Sequence, residues 1–214
     1  MTLWLTRITP NLRHQRSRAD LHNAVGMHRT VMSLFPDQPS DQPRRHAGVL
    51  FRLDNDAAGP QILVQSQIEP APENLVEDYG THECREITPL IEQLRPGVVV
   101  HYRIVACSSK RLARDQPPYR KGQRIARTEA EALAWWELRA PEHGLTLNQT
   151  QTTMITAERS ARSQDTIRHP RTRFQGIATI TDAEIARQAV LRGIGRGKAY
   201  GCGLLSLAPV RSPW

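Results

Sequence analysis

A glycine-rich stretch near the end of the chain combines a flexible backbone with two cations. Residues 193–207 read GIGRGKAYGCGLLSL and contain five glycines. The stretch is not a P-loop, because Gly197-Lys198 is followed by Ala199, which has no hydroxyl for magnesium. It is not a dinucleotide-binding turn either, because it leads from a predicted helix into a strand, whereas phosphate-binding glycines open a helix. Two interpretations remain open: an RNA-backbone contact through Gly195, Gly197 and Lys198, or a helix C-cap followed by a solvated linker.

His28 is the second feature that could do chemistry, because an imidazole takes up and releases protons near neutral pH. It lies next to Arg29 in the predicted first helix. Its position falls on an apolar stripe of that helix, formed by Leu21, Val25, Met32 and Phe35. From the residues alone, a core histidine with a satisfied hydrogen bond is therefore favoured over a proton-transfer group.

The charge balance indicates an anionic partner. The chain has 29 Lys and Arg against 21 Asp and Glu, a net charge of +8, which favours a polyanion and nucleic acid first. The alternative is compositional, because 26 of the 29 cations are arginine, as coding in a GC-rich genome would produce.

The cations concentrate in the segment 158–173, ERSARSQDTIRHPRTR, between two predicted strands. Its arginines are Arg159, Arg162, Arg168, Arg171 and Arg173. Aromatic residues make up only 5% of the chain and no RNP-type signature occurs, so recognition through RNA shape and phosphates is expected rather than base stacking. A disordered loop that orders only on RNA is compatible with this expectation. Further candidate contacts are Arg13, Arg16, Lys110, Arg111 and Arg114, followed by Arg44 and Arg45.

The pattern along the first half predicts a β-α-β-β-(α)-β order. Residues 3–8 fit a strand, and a helix is predicted over 18–35, with Ser17 and Asp20 as a capping box. Residues 47–53 and 61–68 predict a hairpin, and residues 98–107 predict the last strand of this unit.

The second half repeats the order α-β-β-α-β, with a possible first strand near 123–127. Thr128 and Glu131 predict a capping box that opens a helix, and Asp182 caps the last one. Strands are predicted over 145–155, 173–181 and 203–208. The simplest fold is α+β with tandem ferredoxin-like (RRM-like) βαββαβ units: residues 1–110, a linker 111–122, and residues 123–214.

The three cysteines form no CxxC pair, so neither a zinc module nor a disulfide framework is predicted, and no metal site is expected. No apolar run approaches the ~20 residues of a membrane span. Without a signal-peptide pattern, the cytoplasm is the expected location.

Several segments, in order along the whole chain, resemble the CasE family of CRISPR RNA-processing endoribonucleases of type I-E systems. They are MTLWLTRI at 1–8, LHNAVGMHRTVMSLFPD at 21–37, ILVQSQIEP at 62–70, Lys110-Arg111, TEAEALAWWE at 128–137 and GIGRGKAYGCGLLSLAP at 193–209. The last of these is specific to the family. The tandem ferredoxin-like architecture of the family agrees with the strand and helix pattern.

The resemblance implies cleavage of CRISPR precursor RNA at the 3′ base of the repeat hairpin. It implies attack of a ribose 2′-hydroxyl on the adjacent phosphate, without metal or cofactor, which leaves a 2′,3′-cyclic phosphate. It further implies a protein, monomeric alone, that keeps its crRNA product and joins the other subunits of Cascade.

The resemblance also assigns roles to particular residues. His28 matches the catalytic histidine, Arg29 and Lys198 become candidate phosphate contacts, and the basic segment 158–173 corresponds to a hairpin that enters the groove of the RNA stem. The chain departs from the pattern at Val25, where relatives carry a tyrosine, and a valine can neither donate nor accept a proton. A second hypothesis is therefore a crRNA-binding scaffold of Cascade that has lost cleavage.

Overall fold

A computed structural model describes residues 2–36, 43–155 and 170–210 of the 214-residue chain. The strands are β1 (Trp4–Pro10), β2 (Leu50–Asp56), β3 (Gly59–Ser66), β4 (Gly80–Glu86), β5 (Val99–Cys107), β6 (Ser109–Arg111), β7 (Arg124–Ala126), β8 (Leu145–Ile155), β9 (Arg171–Ile180) and β10 (Leu205–Pro209). The α-helices are α1 (Gln15–Leu21), α2 (Ala24–Met32), α3 (Pro43–His46), α4 (Thr88–Glu92), α5 (Glu129–Arg139) and α6 (Ala183–Arg192). Short 3-10 turns lie at Pro72–Asn74, Pro141–His143 and Lys198–Tyr200. None of the helices in these ranges is long and apolar enough to cross a membrane.

The first sheet has the strand order β2-β3-β1-β4, with every neighbouring pair antiparallel. One face of this sheet packs against α2. The side chains on that face come from every second position of each strand. The core on this face is formed by Ile8, Phe51, Ile62 and Val64 from the strands with Met27, Val31 and Leu34 from the helical side.

The second sheet has the order β10-β5-β9-β8, which is the same ferredoxin-like order as in the first. Its core face carries Tyr102, Ile104, Phe174 and Ala178, which pack with Trp136 of α5 and Val190 of α6. The tandem ferredoxin-like fold expected from the sequence is confirmed.

The strand over 98–107 belongs to the second unit, whereas the sequence pattern predicts it as the last strand of the first unit. It is β5, which pairs with β9 and β10 of the second sheet, and the first sheet is closed instead by β4. The sequence GTHECRE of β4 shows no apolar alternation, because this edge strand is exposed or half-buried along its length. The possible strand near 123–127 contains β7, which pairs with β6 in a separate two-stranded ribbon. We therefore propose a unit boundary near Gly97 in place of the 111–122 linker.

The helix predicted over 18–35 is two helices that meet at Asn23. The Asn23 carboxamide caps α2 by accepting hydrogen bonds from the Val25 and Gly26 amides, at 3.1 and 3.2 Å. The predicted Ser17/Asp20 capping box is wrong, because His14 caps α1 and Asp20 is buried, where it accepts a 2.5 Å hydrogen bond from Thr30.

The caps predicted for the second half are confirmed. Thr128 and Glu131 form the reciprocal capping box of α5, and Asp182 accepts from the Ile185 amide at the start of α6. The face of α6 that contains Ala186, Ala189 and Val190 is buried, whereas Ile185 is exposed.

Hydrogen bonds join the two units through side chains of the first sheet. Arg52 is almost fully buried and pairs with Asp54 at 2.9 Å, and its Nη1 donates to the Arg103 carbonyl at 3.1 Å and the Leu204 carbonyl at 3.2 Å. Gln65 donates to the Val190 carbonyl at 2.8 Å, at the end of α6. The first sheet is therefore covered by α2 on one face and by the second unit on the other.

Candidate active site

The imidazole of His28 lies half-buried on α2, above the first sheet. Its ring stacks on Phe51 of β2, with 6.4 Å between ring centroids and 27° between the planes. Nδ1 is enclosed and has no hydrogen-bond partner among the described residues. The described contacts therefore do not show the core histidine with a satisfied hydrogen bond that the sequence favours, and the enclosed Nδ1 is not available to a substrate.

Burial lowers the pKa of His28, and the positive charge of Arg44 lowers it further. Both effects disfavour the protonated ring, because one removes solvent and the other adds a like charge. His28 is therefore neutral at neutral pH, which is the form that can accept a proton.

Arg44 is held at this site by its own backbone surroundings. Its Nη1 donates to the Val49 carbonyl at 2.8 Å, and its carbonyl accepts from the Val49 amide at 2.9 Å. Burial lowers the pKa of Arg44, and the neighbouring charge of Arg45 adds to this effect.

The glycine-rich loop brings Lys198 to the same place. Burial lowers the pKa of Lys198, followed by the charges of Arg44 and Arg45, so the three cations lie close enough to repel one another. The Lys198 ammonium donates to the Arg192 carbonyl at 2.7 Å. We call His28, Arg44, Arg45 and Lys198 the His28 cluster; it collects positive charge beside a neutral base.

The loop is a closed structure rather than a free linker. Its two ends are joined by a 2.9 Å hydrogen bond from the Ile194 amide to the Gly203 carbonyl, and the Gly203 amide donates to Val105 of β5 at 2.7 Å. The 3-10 turn Lys198–Tyr200 packs against α2 and β2. The loop is also close to Phe51, because a Cβ at Gly201 would lie 3.3 Å from that ring.

A second histidine, not singled out by the sequence, lies near Lys198. Burial is the main reason that the pKa of His143 is lowered; Glu142 opposes this, while Arg139 and Lys198 add to it. His143 is half-buried in the turn that precedes β8. It resembles His28 in its partial burial and its lowered pKa, and so makes a matched control for it.

The other predicted contacts are spread over the molecule. Arg13, Arg16 and Arg29 are exposed, and Arg16 also bonds to the buried side chains of Asp20 at 3.1 Å and Thr30 at 3.3 Å. Gly195 faces open space on the outer side of the glycine-rich loop.

Two predicted contacts, Lys110 and Arg111, lie on the ribbon formed by β6 and β7. Lys110 forms an ion pair with Glu131 of α5, and Arg111 is exposed. Arg171 and Arg173 lie in β9 rather than in a loop. The remaining arginines of the basic segment, Arg159, Arg162 and Arg168, lie outside the described residues.

Val25 is in the first turn of α2, three residues before His28, and is 45% exposed. Its side chain offers no proton. Within the described residues, no three His, Cys, Asp or Glu side chains come together in a way that could hold a metal ion.

The two sheets have the same strand order, which defines a tandem ferredoxin-like protein. Its candidate site is basic and contains a neutral histidine near cations, beside the glycine-rich loop. A sequence model of the family described as "CRISPR associated protein" matches residues 3–209, and the chain belongs to this family.

Named relatives also match over most of the chain. The chain is 32% identical to the CRISPR-associated endoribonuclease Cse3 of Thermus thermophilus, over 97% of this chain and 100% of that protein. It is 27% identical to the CRISPR system Cascade subunit CasE of Escherichia coli, over 91% of this chain and 96% of that one. The structure of Thermus thermophilus Cse3 bound to an RNA representing a pre-cleavage complex superposes with a TM-score of 0.78 at 30% identity, covering 98% of this chain and 100% of that chain. The resemblance stated from the sequence is confirmed.

Proposed function

We propose that this protein is an endoribonuclease that cleaves CRISPR precursor RNA at the 3′ base of the repeat hairpin and retains the crRNA. The observation that carries the proposal is the His28 cluster, in which a neutral, half-buried imidazole lies among the cations Arg44, Arg45 and Lys198. The relatives named as a CRISPR endoribonuclease and as a Cascade subunit support the substrate and the partner complex.

The chemistry that fits this cluster is attack by a ribose 2′-hydroxyl. His28 takes the hydroxyl proton on Nε2 while the 2′-oxygen forms a bond to the adjacent phosphorus. The bond from phosphorus to the 5′-oxygen breaks, that oxygen takes up a proton from solvent, and a 2′,3′-cyclic phosphate remains. Lys198 and Arg44 stabilise the extra negative charge on the phosphoryl oxygens. These steps use protein groups alone, so cleavage independent of metal is part of the proposal.

The Val25 position does not prevent this scheme. One accepting group and several cations are sufficient for the proton transfer and for charge stabilisation, although a missing proton donor makes the reaction slower. Slow chemistry suits a protein that keeps its product. As a Cascade subunit the protein would act in the cytoplasm.

Incubating the purified full chain with its cognate repeat hairpin in EDTA tests the proposal. We expect cleavage by stoichiometric wild-type protein, and no cleavage of a hairpin whose nucleotide before the scissile phosphate is 2′-deoxy. Binding without any product, in EDTA or with Mg²⁺, would favour the scaffold hypothesis. Cleavage of the 2′-deoxy hairpin would exclude attack by the 2′-oxygen.

The RNA preference needs its own control. An unrelated hairpin of the same length should be bound more weakly than the repeat hairpin and should not be cleaved. Equal cleavage of both would indicate a basic ribonuclease without preference for CRISPR repeats.

A further inference from the structure

The face of the second sheet turned away from α5 and α6 carries a row of arginines. Arg171 and Arg173 are two positions apart on β9, and Arg103 lies opposite Gln175 on the neighbouring β5. Residues that alternate along a strand, or that pair directly across two antiparallel strands, share a face. We call Arg103, Arg171 and Arg173 the arginine track.

Positive charge on this track exceeds the negative charge that balances it. Arg103 pairs with Asp54 at 3.4 Å, but Asp54 also compensates the buried Arg52. Burial lowers the pKa of Arg52, Asp54 opposes the effect, and the charges of Arg103 and Arg173 lower it further. Within the part of the chain that the structure describes, Arg171 and Arg173 form no ion pair.

Unused hydrogen-bonding groups accompany the charge. The Nε of Arg173 and the Oε1 of Gln175 are buried without a partner among the described residues. The Gln175 amide nitrogen, by contrast, donates to Gln151 of β8 at 3.1 Å. Both atoms are enclosed, as Nδ1 of His28 is, so contacts of the track with a ligand would fall to the terminal nitrogens of its guanidinium groups.

The track continues to the glycine-rich loop, which separates it from the His28 cluster. Arg171 pairs across the strands with Cys107, and a Cβ at Gly197 would lie 3.6 Å from the Cβ of Cys107. Arg124 of the ribbon and Arg196 of the loop are close enough to Cys107 to lower its pKa, although burial raises it overall.

The opposite side of the loop contacts Phe51, on which His28 stacks. A strand of nucleic acid that crosses the loop would therefore pass from the His28 cluster to the arginine track.

We propose that the arginine track binds single-stranded RNA flanking the repeat hairpin through its phosphates. Single strands are commonly bound by a positively charged sheet surface that follows the backbone. The low aromatic content of the chain makes phosphates, rather than stacked bases, the main contacts. The proposal rests on the proposed function. It adds that RNA outside the hairpin leaves the active site across the second sheet.

The test compares the affinity for three RNAs: the repeat hairpin alone, the hairpin with a ten-nucleotide 5′ extension, and the hairpin with a ten-nucleotide 3′ extension. Each is measured with the wild-type protein, with R171Q/R173Q and with R85Q. Arg85 is a matched control, because it is an exposed strand arginine on β4 of the other sheet. The quantity compared is the ratio of the dissociation constants for the hairpin and the extended hairpin.

In the wild-type protein at least one extension should strengthen binding about tenfold or more, because charge-assisted hydrogen bonds to phosphates are stronger than those between neutral groups. R85Q should keep this ratio, and R171Q/R173Q should bring it close to one. The salt dependence for the extended RNA should also decrease, by roughly 0.7 in slope for each phosphate that the double variant no longer binds.

Two results would overturn the proposal: no gain from either extension in the wild-type protein, or a gain that persists in R171Q/R173Q. Circular dichroism and thermal unfolding show whether the double variant is folded, and the single variants R171Q and R173Q replace it if it is not. Failure of the proposed function has a different signature, which is absence of hairpin cleavage by the wild-type protein.

Discussion

The His28 cluster and the arginine track lie on opposite sides of the glycine-rich loop, and both collect positive charge. The cluster combines its cations with an imidazole whose pKa is lowered by burial and by Arg44. The track consists of guanidinium groups, which donate hydrogen bonds and have no site that accepts one. In the two proposals the same electrostatic attraction for RNA serves two tasks. Only the cluster contains a group that can accept a proton, and the track would only bind the RNA.

The largest difference between the two regions should appear in the cleavage step. H28A should lower the single-turnover cleavage rate by about 10²- to 10⁴-fold, the usual contribution of a general base, and leave hairpin binding largely intact. H143A is the matched control, because His143 is also half-buried near Lys198, and its rate should stay near that of the wild type. If H143A loses the activity and H28A keeps it, the base has been assigned to the wrong histidine.

The connection between the two regions depends on Arg52. R52M should cost about 3–5 kcal/mol of unfolding free energy, because it leaves Asp54 buried with less compensating charge and removes hydrogen bonds between the units. R7M is the control: Arg7 also forms an ion pair, with Glu83, but this pair is exposed and should contribute no more than about 1 kcal/mol.

Urea unfolding measures both of these variants. Equal losses of stability for R52M and R7M would show that the buried pair does not stabilise the junction.

The loop between the regions can be changed at two glycines with different surroundings. G195A should cost about 1–2 kcal/mol, from the left-handed backbone alone, because φ is +79° and no atom lies within 4 Å of the added Cβ. G203A has a φ of +89° and places its Cβ 2.7 Å from the Ile194 carbonyl, so it should cost roughly 1–3 kcal/mol more.

Thermal unfolding gives the order of stability of these two variants, and cleavage assays show whether the loop must keep its shape for activity. A G203A protein as stable as G195A would mean that the loop adapts to the extra atom.

The smallest expected effect is a shift in pH dependence. As the proposed base, His28 must be neutral, so the cleavage rate should fall only when the pH drops below the lowered pKa, which lies under the ordinary value of about 6.5. R44Q removes a like charge, which raises the pKa of His28 and moves the acidic limb to higher pH. R85Q, far from the cluster, should leave that limb in place.

The lowered pKa of His28 also makes the stability of the folded state depend on pH. The unfolded chain binds a proton at His28 more readily than the folded chain does, so the folded state loses stability as the pH falls through 6.5. H28A should remove that part of the pH dependence of unfolding. An acidic limb that does not move in R44Q would show that Arg44 is too far away to influence the reacting group.

Local signals in the sequence are sufficient for much of the fold. The Thr128/Glu131 capping box and the Asp182 cap depend on neighbours three residues away, and the hairpin of β2 and β3 depends on a short turn. Sheet membership depends on distant partners instead. For that reason the sequence pattern predicts the wrong sheet for β5, and it does not indicate the polar edge strand β4.

The candidate site is predictable only in part, for a similar reason. His28 and Lys198 can each be identified as reactive types, but their proximity depends on how the glycine-rich loop packs against α2 and β2. Phe51 reads as an ordinary strand residue, and Arg103 as an ordinary polar one. Their roles appear only when the two sheets are placed against each other.

Two consecutive residues of β2 join these parts of the molecule mechanically. Phe51 supports the His28 ring on one face of the sheet, and Arg52 is bonded to backbone carbonyls of the second unit from the other face. Any rotation of one unit against the other must either break those hydrogen bonds or carry the imidazole along with it. β2 therefore links the position of the proposed proton acceptor to the half of the molecule that contains the arginines.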